Sequence, residues 1–339
     1  MAKLRIGVLY DYWWDEDEER VEGERPKKKS PDEDVREVYE ALREVGHNPV
    51  YVRLDGTRES LIEVARSQTD LLFNLVESFG GDDSQDTNIA GYLELLGRRF
   101  TGSGSSGLYL AQDKTLAKKI FTFHGIHTPY FTTVYRGRLE HSHDIHFPVI
   151  VKPAREDGSI GIQFGAVCNS IKELMERIDY IHAEFDSPAL IEEYIEGREL
   201  YVGVLGNEKP EALPVVELDL SQLPAGTPKI AGSEVKWEEG THAYEATKPF
   251  FPEDLEEETI TKLQETAVQA FTALQLRDYG RIDFRLAPDG TIHVLEVNPN
   301  PYLLSTAELS MAAKQSGRSY QALIAGIVDS TMGRYATAG

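Results

Sequence analysis

Cysteine is nearly absent. Cys168 is the only one in 339 residues, so no intrachain disulfide is possible. It stands in the apolar run Ala166-Val167-Cys168 and reads as a small buried hydrophobe. No stretch approaches the ~20 apolar residues of a membrane span. The apolar run at residues 4–10 is too short for a signal peptide and is followed at once by Asp11. Basic residues are in deficit: 35 Lys and Arg stand against 57 Asp and Glu, a net charge of −22. That balance argues against a general nucleic-acid binder and against an anionic-membrane binder. It leaves an anionic small ligand open, because a few lysines and a metal reverse the field inside a cleft. The patterns G-x-S-x-G, H-E-x-x-H and G-x-x-x-x-G-K-S/T are all missing. The nine histidines show no metal-ligand spacing, and the cluster His141, His143, Asp144 and His146 reads as a solvated loop. These absences together predict a cytoplasmic protein with neither nucleic acid nor membrane as partner.

The chain that remains is long enough for two or three domains. Residues 4–10 read as a buried strand and 11–31 as a very polar surface loop, whose acidic run Asp15–Glu19 is a solvated face or a lid. Ser30-Pro31-Asp32-Glu33 reads as a helix start. Strand 49–54, helix 58–67 and strand 70–76 continue a β-α-β rhythm, which predicts a parallel sheet. Helices follow over 88–96 and, as one longer element, over 103–125. Strands are expected at 148–153, 161–167, 189–194 and 199–205, with a helix at 170–182 among them. Residues 221–252 are rich in loops. A helix at 253–275 precedes two β-like runs, and helical segments on either side of Gly317 fill 305–329.

The two β-like runs flank Asp289-Gly290, a strong hairpin signal. A tight two-residue loop there sets Asp283 opposite Glu296 and Arg281 opposite Asn298, all on one face. Directly opposed carboxylates destabilise a sheet, so a divalent cation between them is the natural expectation. Two carboxylates and an amide suit Mg²⁺, which takes few protein ligands plus substrate phosphates. Elsewhere, Lys152 ends a strand before the small, polar loop Arg155–Gly161. Such a loop can bring backbone N–H groups and an ammonium to a phosphate, although a plain hairpin with an exposed lysine fits equally well. Residues 190–199 join two further strands and, by themselves, read as a charged loop. Gly102-Ser-Gly104-Ser-Ser-Gly107 fits G-x-G-x-x-G, but no acid ends a strand where a dinucleotide fingerprint needs one. A helix-entry loop is the better reading.

Taken in order, the motifs resemble the ATP-grasp superfamily and most closely the D-alanine–D-alanine ligases. The resemblance rests on Thr101–Gly104, Gln112-Asp-Lys114, Gly125–Pro129, Phe147–Pro153 with Arg155–Gly161, Glu192–Glu199, Arg281-Ile-Asp283-Phe284, Leu295–Pro299 and Met311-Ala-Ala313. It implies an α/β (α+β) ATP-grasp fold, a parallel-sheet α/β domain followed by two α+β subdomains clasping ATP. The expected divisions are 1–100, 101–186 and 187–335, the last carrying the metal site. The implied reaction joins a carboxylate to an amine through an acyl phosphate, with ATP and Mg²⁺ (or Mn²⁺). By the same resemblance, Lys114 and Lys152 hold the α- and β-phosphates and Lys236, beside Trp237, meets the γ-phosphate. Glu192, Glu193, Tyr194 and Ile195 form the adenine linker, and Glu199 binds ribose. Asp283, Glu296 and Asn298 ligate the metal, Arg281 stabilises developing charge, and Ser159 orients the loop over the site. A homodimer is implied as well.

The substrate regions depart from that family. Tyr10–Trp14 and the charged insert replace its first glycine-rich loop, and Val76–Asp83 replaces a histidine-led loop. Pro301-Tyr302 stands where an oxyanion-hole glycine is usual, and Ala307-Glu308 where Ser-Leu receives the second substrate's carboxylate. A glutamate at 308 facing the pocket would repel that carboxylate. Ligation of other amino acids or small carboxylates, a non-catalytic ATP-binding module and, last, a nicotinamide-dependent oxidoreductase are the alternatives.

Overall fold

The structure is a computed structural model that describes residues 3–12, 31–136, 138–139, 146–156, 158–185, 187–236 and 240–337. Most of the charged insert, with Asp15–Glu19, lies outside the described residues, as do His141, His143, Asp144 and Trp237.

The chain opens with β1 (Arg5–Asp11), α1 (Glu33–Glu44), β2 (Asn48–Leu54), α2 (Arg58–Arg66) and β3 (Leu71–Asn74). These strands form a parallel sheet in the order β2-β1-β3. Every residue of β3 is buried, as a sheet covered on both faces requires. The helix α1 starts at Glu33, with Asp32 rather than Ser30 at the cap position. Next come α3 (Asp86–Leu95), α4 (Ser105–Gln112) and α5 (Lys114–Phe123). The single helix expected over 103–125 is thus two. Asp113 ends α4 and then caps α5, its carboxylate accepting from the Leu116 N–H at 2.9 Å. The Gly102 N–H donates to Asp278 Oδ2 at 2.9 Å, so the glycine-rich stretch is a helix-entry loop with a structural anchor.

The second sheet comprises β4 (Phe131–Tyr135), β5 (Arg138–Leu139), β6 (Val149–Pro153), β7 (Val167–Cys168) and, beyond α6 (Ile171–Glu184), β8 (Ala189–Glu193), in the order β5-β4-β8-β6-β7. The strand expected over 161–167 is not there. Gly158, Ser159 and Gly161 all adopt positive φ, which curls the chain into a loop, and only Val167 and Cys168 pair with β6. The buried Cys168 thiol is pushed up to about 11, chiefly by desolvation.

The third sheet holds β9 (Arg198–Leu205), β10 (Glu211–Ala212) and β11 (Val216–Leu218). After α7 (Ser233–Lys236) and α8 (His242–Ala246) it adds β12 (Pro249–Phe250) and, after α9 (Glu257–Ala273), β13 (Tyr279–Leu286) and β14 (Ile292–Asn298). Its core is Leu200, Val202, Val204, Ile282, Phe284 and Val294 against Phe271 and Ala267 of α9. Finally α10 (Glu308–Gln315) and α11 (Tyr320–Thr337) return to the first sheet. Leu323, Ile324 and Ile327 share a core with Val35, Val38 and Leu42 of α1.

Candidate functional site

The hairpin β13–β14 carries the centre of the site. Arg281 pairs with Asn298 and Asp283 with Glu296, as the sequence predicts, but the route to that register differs. The loop is one residue longer than two: Ala287 pairs with Thr291, and the Gly290 N–H bonds to the Ala287 carbonyl at 2.9 Å. Gly290 sits at φ 83°, the left-handed position such three-residue loops need. A bulge then restores the alignment, because Phe284 pairs with Val294 while Asp283 pairs with Glu296, leaving Leu295 as the extra residue.

Around this hairpin the charges are paired and buried. The Arg281 guanidinium donates to both Asp283 oxygens at 2.8 and 2.9 Å and to Glu308 at 3.1 Å, and lies over the Tyr201 ring. Burial pushes the Asp283 carboxyl up to about 6 against the pull of Arg281. Burial would also raise Glu296, but Lys114, Lys236 and Lys152 outweigh it and hold that carboxyl low. Lys114 Nζ lies 3.3 Å from Glu296 and donates to the Glu156 carbonyl at 2.6 Å. Across the cleft, Glu192 of β8 is held between Lys152 and Lys118, each at 2.8 Å. The two ammonium groups overcome desolvation and keep Glu192 below the usual carboxylate range. Lys118, itself fully buried, is pulled down to about 8 by desolvation.

Lys152, Ser159, Glu192, Glu193, Tyr194, Ile195, Glu199, Lys236, Asp283 and Glu296 line one cleft between the second and third sheets. Arg281 and Asn298 line a second cavity that shares Lys236 with the first. Every predicted site residue within the described chain therefore falls in one region. The linker's N–H groups at Glu193 and Tyr194 bond to the Tyr130 and Pro148 carbonyls, at 2.8 and 3.2 Å. Both Glu199 oxygens are engaged, one by Arg285 at 2.8 Å and one by the Tyr201 hydroxyl at 3.0 Å. Ser159, at φ 64°, donates its hydroxyl to the Ala231 carbonyl at 2.9 Å and so ties the Arg155–Gly161 loop to the segment before Lys236.

Two charged residues of the site escaped the sequence reading, Lys118 and Arg285. A signal existed for both. Lys118 lies four residues after Lys114, on the same face of α5, and Arg285 continues the alternation of Arg281 and Asp283 along β13.

A protein-family profile described as "D-ala D-ala ligase C-terminus" matches residues 120–329. The D-alanine–D-alanine ligase of Aquifex aeolicus is 34% identical over 295 residues, covering 86% of this chain and 92% of that protein. The uncharacterized protein y4sG of Sinorhizobium fredii is 34% identical over 305 residues, covering 88% of this chain and 87% of that one. Among solved structures, the Bacillus anthracis D-alanine–D-alanine ligase complexed with ATP superposes with a TM-score of 0.73. It is 22% identical, and the match covers 100% of both chains.

Proposed function

The chain belongs to the D-alanine–D-alanine ligase family of ATP-dependent ligases, and from that premise we propose that it joins a carboxylate to an amine through an acyl phosphate, using ATP and Mg²⁺. The observation that carries this reading is the register of the hairpin. It opposes Asp283 to Glu296 and Arg281 to Asn298, with Lys114, Lys152 and Lys236 around them. The donor set fits Mg²⁺: two carboxylates and an amide in adjacent register, one of the carboxyls raised by burial against the pull of Arg281. Asp283, Glu296 and Asn298 would hold the ion, and when bound it would supply positive charge at the phosphates.

The rest is done by the chain's own side chains. Lys114 and Lys152 exchange their carboxylate partners for phosphate oxygens, and Lys236 approaches the γ-phosphate. The linker from Glu192 to Ile195 lines the adenine end of the cleft, with Glu199 near the ribose. A substrate carboxylate oxygen attacks the γ-phosphorus, the bond to the bridging oxygen breaks and ADP leaves. A neutral amine then attacks the acyl carbon, phosphate departs and the amine's proton leaves with it. Arg281 lies beside the forming oxyanion, a preorganised charge that needs no rearrangement. Positioning and charge neutralisation account for most of such a reaction. A homodimer, a cytoplasmic location and a division of the chain near residues 100 and 186 belong to the same reading.

The test is phosphate release with ATP and Mg²⁺ over a panel of D- and L-amino acids, peptides and amines, with mass detection of the product. Turnover should appear with at least one donor–acceptor pair. Asp283→Asn and Glu296→Gln should each lower kcat by about 100-fold or more, the order seen when a charge-stabilising group is removed, while the urea unfolding midpoint shows a folded protein. Phosphate release that no member of the panel raises above ATP alone would refute the reading.

A further inference from the structure

The cavity beside the carboxylate pair encloses about 860 Å³. Pockets for drug-sized ligands run roughly 300–1,000 Å³, so this one is far larger than two alanines need. Its charge is also unusual for a site that should receive an amino acid by its carboxylate. Glu77, Asp83, Asp86, Glu245 and Glu308 line it, against Lys236, Lys248 and Arg281. Arg281 is committed, donating to Glu308 at 3.1 Å and to Asp283 at 2.8 Å. A carboxylate arriving at Arg281 would have to displace Glu308 and then lie beside it.

A second, independent feature marks the wall as a binding surface. Thr247 is 9% exposed and lines the cavity, yet its hydroxyl has no hydrogen-bond partner among the described residues. A buried, unmatched hydroxyl is unfavourable unless something fills the bond. Tyr244 and Tyr302 add aromatic surface to the same cavity, and aromatic faces attract ammonium groups.

We propose that the acceptor substrate is a cationic amine, a linear molecule with a second positive group and no carboxylate beside its reacting nitrogen. The assignment rests on the ligase reading for the word acceptor, and on the cavity alone for the cation. Glu308 takes the place where a carboxylate would otherwise be received, and the Thr247 hydroxyl accepts from the far ammonium. In the reaction the uncharged end of the diamine forms the N–C bond, the acyl carbon–phosphate oxygen bond breaks, and phosphate leaves with the nitrogen's proton.

Calorimetric titration of the full chain with 1,4-diaminobutane and with D-alanine, without nucleotide, tests the cation directly. The diamine should bind at least about tenfold more tightly than D-alanine, the worth of one hydrogen bond to a charged group. Glu308→Gln should weaken the diamine and strengthen D-alanine. Thr247→Val, which keeps the side-chain shape, should weaken the diamine alone. Equal or tighter binding of D-alanine to the wild type, or an unchanged preference in both variants, overturns the inference. Phosphate release read in parallel separates the two proposals. Diamine binding without turnover by any donor leaves the cation site standing and removes the ligase reading. Turnover with alanine but with no diamine does the reverse.

Discussion

Lys118 shows how one side chain can set the charge of a whole wall. Its ammonium touches Glu192 at 2.8 Å, the Thr128 hydroxyl at 2.7 Å and the Leu295 carbonyl at 3.2 Å. It therefore joins α5, the central strand of the second sheet and the bulge of the third. Removing one member of a buried ion pair typically costs about 3–5 kcal/mol, because the other charge is left uncompensated. Here Lys152 still holds Glu192, so Lys118→Met should fall at or below the low end of that range in urea unfolding. The sign of its pH dependence follows from the direction of its shift. The folded-state value of about 8 lies below the ordinary lysine value of 10.5, so between them the unfolded chain binds the proton and the folded chain does not. This lysine's contribution to stability is least favourable below pH 8 and improves as pH rises through that window. The stability of the wild type relative to Lys118→Met should therefore increase from pH 8 to pH 10. A difference that falls over that range would contradict the assignment.

At the level of elements, the linker between β8 and β9 runs hard against the end of β13. Gly197, at φ 150°, sits where a Cβ would meet the Leu286 carbonyl oxygen at 2.1 Å. Arg285 donates to the Gly197 carbonyl at 3.2 Å, locking the linker onto β13. Gly197→Ala must shift backbone on both sides, so it should destabilise the chain by about 3 kcal/mol or more and weaken nucleotide binding with it. An unchanged unfolding midpoint would count against this packing. The same elements show what was legible in advance. The alternation along β13 and β14 carried enough to place Arg281, Asp283, Glu296 and Asn298, because a buried face leaves one register open. The longer loop and the bulge escaped notice because their effects cancel at the site. The break at Asp113 and the curl at Gly158–Gly161 were missed for another reason. Each depends on a local cap or a positive φ that apolar periodicity does not report. The pairings of Lys118 and Glu308 are contacts between distant segments, which only the assembled sheets bring together.

On the scale of the molecule, the cleft between the second and third sheets is narrow, about 60 Å³, well under the roughly 300 Å³ of ordinary ligand pockets. A nucleoside triphosphate can enter only if the walls part. The Ser159–Ala231 bond and the Ser233 N–H to Ile162 carbonyl bond at 2.8 Å span those walls. ATP should therefore change amide exchange over residues 158–162 and 230–236 while leaving β13 protected. Uniform exchange in both states would argue for entry by another route. The anchor at Asp278 has a consequence of a different kind. Its carboxylate holds the Gly102 N–H, the Asn207 amide, the Thr331 hydroxyl and Arg334, and Arg334 also donates to the Phe100 carbonyl. The first sheet's closing turn is thus fastened by a helix near the other end of the chain. During synthesis, when amino-terminal segments emerge first, the opening third of the protein must wait, unfinished, for α11 to leave the ribosome. The early sheet is then the part that a chaperone has most time to meet.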